Sequence, residues 1–381
     1  MTFDKIQYDN LGVTVEISTF APAGGVVEHH MMLHVAPRGE HFDHQWARLS
    51  AAKEALLQRP LFRDASVVFK RYFLSDAANQ APLMQPSESG AVSVIQQPPL
   101  DGSKVAAWFY LQTGPQVKGK AAGTTFVEHN GYRHIWHAGL HATSGNSAEQ
   151  TEQVLNSYET FLRQQDATIA EHCVRTWFFV RDVDTQYAGL VKARLDNFLQ
   201  QGLTPDTHYI ASTGIGGLPA DRRSIVYLDT YALTGFSPQQ QRHLHALTHL
   251  NPTIEYGVTF ERGTVIEYGD RAHAFISGTA SIDNKGKVVH VGDIERQTHR
   301  MWENVEALLK EADMTIGQHA MQIIVYLRDM ADYATVRDLF AKRFPHIPTL
   351  ITLAPVCRPE WLIEMECITA APRRHENFRD F

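Results

Sequence analysis

The sequence predicts an α+β fold made of three tandem β-β-α-β-α-β-β units packed as a pseudo-trimer. The first observation is an internal repeat. Residues 150–182 (QTEQVLNSYETFLRQQDATIAEHCVRTWFFVRD) align without a gap on residues 297–329 (QTHRMWENVEALLKEADMTIGQHAMQIIVYLRD). Gln150 and Gln297, Asp166 and Asp313, Thr168 and Thr315, His172 and His319, and the pairs Arg181-Asp182 and Arg328-Asp329 coincide. A fainter copy occupies residues 45–76, with Gln45, Leu57 and Asp76 on repeat positions once one residue is inserted near Pro60. Self-similarity at a fixed spacing marks supersecondary units that bury a core only by packing on one another. The second observation is a change of hydrophobic period inside each copy. Met301, Val305, Leu308 and Leu309 share one face at helical spacing, and a run without polar breaks, Ile323-Ile324-Val325-Tyr326, follows as a strand covered on both sides.

The elements follow in order. In the first unit the amphipathic stretch after Gln45 leads to the strand Val67-Val68-Phe69. In the second, residues 134–142 form a strand, 150–163 a helix, Trp177-Phe178-Phe179 the buried strand, 184–199 a second helix, and 209–211 and 225–231 two closing strands. In the third, 264–267 and 274–277 pair across a Gly269-Asp270 turn, 333–344 is a helix stopped by Pro345, and 349–353 and 361–369 close the sheet. The expected units are 1–120, 121–236 and 255–381. Residues 237–254 are expected as an insertion with a helix-like His/Leu/Gln pattern.

Composition bounds the function. The 381 residues are 44% hydrophobic and 20% charged, with 17 Pro and 25 Gly, ordinary for a folded globular chain. The 35 Lys and Arg against 42 Asp and Glu leave a net charge of −7, so no general positive field exists to hold a nucleic acid. Cys173, Cys357 and Cys367 are an odd number in a long chain and point to free thiols and a cytoplasmic setting. Neither an export leader nor an apolar run of about eighteen residues is readable, so no membrane partner is expected. The His243, His245, His249 and His134, His137, His141 groups lack a carboxylate at ligand spacing, and no metal is expected. Thr213-Gly214-Ile215-Gly216-Gly217 lacks the Lys-Ser/Thr ending of a phosphate loop and reads equally as a tight strand end.

The third copy carries a family likeness. Its run FISGTASIDNKGKVVHVGD (275–293), then Gln297, Asn304, Tyr326-Leu327-Arg328-Asp329, Ala354-Pro355-Val356-Cys357-Arg358-Pro359 and Ile363-Glu364-Met365-Glu366, resembles the Rid (YjgF-like) superfamily and within it the chorismatases. The likeness is strong over 256–370, moderate over 175–231 and faint before 148. It implies a Rid trimer fused into one chain, standing as a monomeric pseudo-trimer or as a higher homo-oligomer of it. It also implies hydrolysis of the enolpyruvyl ether of chorismate or a related cyclic carboxylate, with release of pyruvate. Glu364 resembles the family's catalytic acid, and Cys357 the active-site cysteine of the hydroxybenzoate-forming branch. Gly278-Thr279 resembles the pocket loop, Tyr256-Gly257 with Phe260 and Arg262 the substrate segment, and Thr213-Gly214 with Arg175-Thr176-Trp177 the middle-unit motifs. Phe178 departs from the pattern, standing where the family has Asn. Members that deaminate enamines and imines carry an Arg just after a Phe-Pro pair. Here Phe344-Pro345 is followed by His346-Ile347. A deaminase and a non-catalytic small-molecule-binding protein are the alternatives.

The chemistry fits the residue types. Protonating the ether's methylene carbon, followed by water attack on the oxocarbenium ion, needs one acid of near-neutral pKa and no organic cofactor. Glu364 and Glu366 fall on one face of an alternating strand, where partial burial would raise a carboxyl's pKa. A dicarboxylate partner requires cations, and Arg175, Arg262 and Arg358 offer bidentate donors. Read without the family, Glu364 is equally a strand carboxylate paired with an Arg, Cys357 a small packed side chain, and Arg358 or Arg262 a surface ion pair.

Overall fold

A computed structural model describes residues 1–84, 90–121 and 123–381, without the side chains of Gln116, Lys118, Lys120 and Tyr256. The first unit comprises β1 (Thr2–Tyr8), β2 (Val13–Phe20), β3 (Val27–Val35), α1 (Phe42–Leu57), β4 (Ala65–Leu74), α2 (Ala77–Gln80), β5 (Ala91–Gln96) and β6 (Val105–Thr113). The second comprises β7 (Gln116–Ala121), β8 (Thr124–His129), β9 (Tyr132–His141), α3 (Ser147–Arg163), α4 (Ile169–His172), β10 (Cys173–Val180), α5 (Val183–Gln200), β11 (Ala211–Gly216) and β12 (Val226–Thr234). The third comprises β13 (Gln241–Leu244), β14 (Gly263–Glu267), β15 (Arg271–Ala280), α6 (Ile294–Glu311), α7 (Ile316–His319), β16 (Ala320–Leu327), α8 (Tyr333–Arg343), β17 (Thr349–Leu353) and β18 (Ile363–Pro372).

Three six-stranded sheets result, with one topology: β1-β2-β3-β6-β4-β5, β7-β8-β9-β12-β10-β11 and β13-β14-β15-β18-β16-β17. The expected α+β pseudo-trimer is the observed fold. Each unit opens with three strands, however, not two. The added one is the edge strand, and its sequence hides it. Gln241-Arg242-His243-Leu244 pairs antiparallel with β14, so the stretch expected as an insertion supplies the third sheet's edge. Four polar-rich residues are too few to display a two-residue period, and the His/Leu/Gln spacing there imitates a helix. The boundary expected at residue 120 likewise falls inside β7.

The central strands explain the architecture. Every residue of β10 and of β16 is buried, because a helix layer covers one face and the neighbouring sheets cover the other. Trp108, Trp136 and Trp177, one from the first sheet and two from the second, meet in the shared core, with Trp108 and Trp177 ring centroids 6.3 Å apart and Trp136 and Trp177 6.2 Å apart. The strand ends interlock between units. Gln97 Nε2 donates to the Gly216 carbonyl at 2.7 Å, Gly216 N to Pro355 at 2.9 Å, and Leu353 N to Pro98 at 2.8 Å. Further along the shared core, Glu28 accepts hydrogen bonds from Arg271 (2.7 Å) and Tyr110 (2.6 Å) and lies 2.8 Å from His273. Phe381 covers this cluster, its ring 4.5 Å from the Arg271 guanidinium carbon. Among the described residues no helix is long and apolar enough to cross a membrane.

The repeat's identities have local causes. Asp166 and Asp313 both adopt left-handed backbone, at φ 55° and 52°. Thr168 N and Thr315 N donate to His172 Nδ1 and His319 Nδ1, at 3.1 and 3.0 Å. Gln150 and Gln297 tie the chain segments that enter β12 and β18, accepting from Ile225 N at 2.7 Å and from Leu362 N at 2.9 Å.

Candidate active site

A bulge creates the site. Pairing of β15 with β18 slips between Ile276 and Thr279, inserting an extra residue that bends the strand beside the cleft. Gly278 occupies the slip. A Cβ there would overlap the Glu364 carboxylate, so only glycine lets that carboxylate lie against the backbone.

Glu364 and Glu366 project from the same face of β18, 5% and 1% exposed. Glu366 is fully engaged: Arg175 Nη2 lies 2.9 Å away, Trp177 Nε1 donates at 2.7 Å, and the Thr213 hydroxyl donates to it. Thr213 Oγ1 in turn accepts from Arg175 and, at 2.9 Å, from Gly278 N. One hydroxyl thus fastens β11 of the second unit to the bulge of the third. Burial, then the Glu366 charge, pushes the Glu364 carboxyl up to about 8, while Arg175 and Arg262 pull the other way. At neutral pH the group keeps its proton.

Glu364 borders a cavity of about 250 Å³ between the second and third units. From the second unit, α5 contributes Tyr187, Val191 and Arg194, and β11 contributes Ser212 and Gly214. From the third come Phe260, Arg262, Cys357, Arg358 and Trp361. Arg262 donates to the Asn251 carbonyl at 3.1 Å and sits over the Phe260 ring. Arg358 lies 4.8 Å from the Trp361 ring centroid. Burial, then Glu364, pushes the Cys357 thiol up to about 12, so it is a neutral wall group. Three guanidinium groups beside one protonated carboxyl make the cavity receptive to anions.

The residues singled out from sequence divide. Glu364, Cys357, Arg262, Arg358, Gly278 and Gly214 reach the cavity. Arg175, Thr213 and Thr279 do not line it. Arg175 is 1% exposed and spends its guanidinium on Glu366 and Thr213, and the Thr279 hydroxyl donates to the Ser277 carbonyl. None of the three is placed for direct substrate contact: Arg175 and Thr213 hold Glu366 behind the cavity, and the Thr279 hydroxyl is spent on its own strand. The Tyr256 side chain lies outside the described residues, although Gly257 next to it lines the cavity. Arg194 was not anticipated. It is 1% exposed and binds Thr259 Oγ1 at 3.2 Å. Its signal was present, because Tyr187, Val191 and Arg194 recur at 4 and 3 residues along α5, a helical stripe with a charge in it. The histidines make separate contacts: His243 stacks on His208, His245 lies 3.7 Å from Glu261, and His134 meets Tyr231. Among the described residues no three side chains are placed to hold a metal.

The other two clefts differ chemically. Glu364 pairs across the sheet with Tyr326; the corresponding pairs are Tyr227 with Phe179 and Ala106 with Phe73. The acid thus has a tyrosine and an alanine as its counterparts. Asp229, the counterpart of Glu366, is sealed against Arg71 at 2.8 Å with both side chains fully buried. The residue after Phe344-Pro345-His346 belongs to the cleft between the third and first units, where Ile347 lines the wall. Its counterpart near Glu364 is Ile210, by the register of β10 with β11 and of β16 with β17. Neither position holds an Arg.

Comparisons with known proteins agree with this architecture. Residues 265–371 match the family described as Endoribonuclease L-PSP. A RutC family protein of Pyrococcus abyssi is 32% identical over 96 residues, 25% of this chain and 75% of the relative. A RutC family protein of Pyrococcus horikoshii is 33% identical over 96 residues, again 25% and 75%. The 3-aminoacrylate deaminase RutC of Acinetobacter baylyi is 34% identical over 71 residues, 19% of this chain and 56% of the relative. A chorismatase crystal structure superposes with a TM-score of 0.63 at 18% identity, covering 80% of this chain and 93% of that chain, which shows a shared fold.

Proposed function

We propose that this chain, which belongs to the Rid (RutC, YjgF-like) family, hydrolyses an enolpyruvyl ether of a cyclic carboxylate, chorismate being the first candidate. The observation that carries the reading is a single acid, Glu364, kept protonated near neutrality at the wall of an arginine-lined cavity. Glu364 delivers its proton to the methylene carbon of the enol ether, which leaves an oxocarbenium ion at the carbon next to the ether oxygen. Water adds there and returns a proton to the carboxylate, and the hemiketal collapses to pyruvate and the ring alcohol. Arg194, Arg262 and Arg358 hold the carboxylates, and Cys357 forms the wall near the acid. Arg175, Trp177 and Thr213 are positioning residues: they fix Glu366, whose charge adds to burial in keeping the Glu364 proton in place. The test is pyruvate release from chorismate by the purified protein, with chromatography of the ring product to identify the branch. Absence of pyruvate rules out chorismate.

The sign of the pH response follows from the direction of the shift. A carboxyl raised to about 8 is active as an acid below that pH and loses its proton above it, so kcat falls through about pH 8. Replacing Glu366 by Gln removes the negative neighbour and leaves the Arg175 guanidinium unopposed, so the descending limb moves to lower pH. A limb unmoved in Glu366→Gln contradicts this coupling.

Gly278→Ala is the steric counterpart. The new methyl group takes the space of the Glu364 carboxylate. A displaced acid is expected to lower kcat by about 10²-fold, since misplacement by an ångström costs on that order. Wild-type kcat in Gly278→Ala would show that the carboxylate does not act from this position.

The RutC relative named for 3-aminoacrylate deamination motivates one control. Ammonia release from an enamine acid is expected to be absent, because no Arg occupies the Ile210 position near Glu364.

A further inference from the structure

We infer that Tyr187 holds the water that attacks the oxocarbenium ion, an assignment that rests on the enol ether reaction proposed above. In that reaction Glu364 supplies the proton, the guanidinium groups hold the carboxylates, and water adds to the carbon beside the protonated one. The attacking oxygen must keep a lone pair free. A guanidinium only donates, and would occupy that lone pair. The group that orients the water therefore has to accept one of its O–H bonds while the other turns to the Glu364 carboxylate.

The cavity wall narrows the choice. Among the described residues that line it, the neutral polar side chains are Tyr187, Ser212, Cys357 and Trp361. Trp361 has a donor and no acceptor, and its Nε1 is spent on the Ser281 carbonyl at 3.0 Å. Ser212 Oγ already accepts from Thr176 Oγ1 at 2.9 Å and from Arg194 at 3.5 Å. Cys357 offers only a weakly accepting sulfur. Tyr187 reaches across from α5 of the second unit, and its hydroxyl hydrogen-bonds the Cys357 thiol, a group that also feels the Glu364 charge. Giving its proton to that sulfur turns the phenol oxygen into an acceptor beside the acid.

The seat of the phenol belongs to this cleft alone. A Cβ on Gly214 would stand 2.8 Å from Tyr187 Cε2 and 3.1 Å from its hydroxyl, so the ring lies on bare backbone. By strand register the counterparts of Gly214 are Val94 and Ile351, whose branched side chains fill that space in the other two units. Glycine at 278 admits the acid, and glycine at 214 admits the tyrosine.

Tyr187→Phe keeps the ring on Gly214 and deletes only the hydroxyl. Pyruvate release from chorismate is expected to fall about tenfold, the worth of one hydrogen bond to a reacting group. The decisive readout is the fate of the proton in D2O. Glu364 then carries deuterium and adds it to the methylene carbon, forming a CH2D group. Where no water attacks, the carboxylate takes a proton back from that group, the C=C bond re-forms, and deuterium remains in the recovered substrate. Mass spectrometry of unreacted chorismate is expected to show a higher ratio of exchange to hydrolysis in Tyr187→Phe than in wild type. Gly214→Ala, which pushes the phenol off its seat, should raise the ratio too. A displaced acid would slow exchange and hydrolysis together, so an unchanged ratio in Tyr187→Phe overturns the assignment even if the rate falls. No pyruvate from the wild type removes the enol ether reaction itself, and the assignment with it.

Discussion

If the proposed reaction holds, replacing Glu364 by Gln is expected to lower pyruvate release from chorismate by about 10²- to 10⁴-fold, the usual worth of a positioned general acid. The substitution is nearly isosteric, and the buried carboxyl is already protonated near neutrality, so folding is little affected. Loss of activity with an unchanged melting temperature therefore reads the proton and not the fold. The residual rate should also lose the descending limb near pH 8, because the titrating group is gone. Full activity in Glu364→Gln would remove the enol ether mechanism, since among the described residues lining the cavity no other carboxyl is available to replace it.

Arg71→Met is expected to produce a large loss of stability. Arg71 and Asp229 are both fully buried, 2.8 Å apart, and join the first unit to the second. The guanidinium carbon also lies 4.9 to 5.4 Å from the rings of Phe69, Trp108, Trp177 and Phe179. Burial alone raises the Asp229 carboxyl, and Arg71 is the first influence that opposes it. Removing the cation strands an anion in the core, which costs about 3–5 kcal/mol. Thermal unfolding should show a drop of several degrees in Arg71→Met, most of it recovered in Arg71→Met with Asp229→Leu, because two apolar residues leave no charge behind. Equal stabilities of the single variant and wild type would refute the role assigned to the pair.

The threefold plan was legible because its identities are residues with local backbone duties. Asp166 and Asp313 tolerate left-handed φ, Thr168 and Thr315 are held by the histidines four residues on, and Gln150 and Gln297 tie the chain entering the last strands. Such duties recur wherever the fold recurs. The edge strands were not legible, since β13 needs only four residues and half of its backbone faces away from a partner. The site was legible in part. Glu364 and Gly278 sit in the best-matched segment, whereas Arg194 carries its meaning only through a neighbouring unit. Arg175 shows the converse, a cation expected at the substrate but bound instead to Glu366 behind the cavity, because one sequence does not reveal which carboxylate reaches it first.

The interlocked strand ends that join Gln97, Gly216 and Pro355 have a consequence for how the molecule can change. In an assembly of three separate identical chains, every substitution is made three times, so a residue useful at one interface must be tolerable at the other two. Here each interface is encoded by its own stretch of sequence. The acid at Glu364, the sealed ion pair at Asp229 and the cleft that Ile347 lines occupy related positions in one molecule, and a substitution in one leaves the side chains of the other two as they were. Covalent linkage also fixes the stoichiometry, so dilution cannot separate one wall of a cleft from the neighbour that completes it.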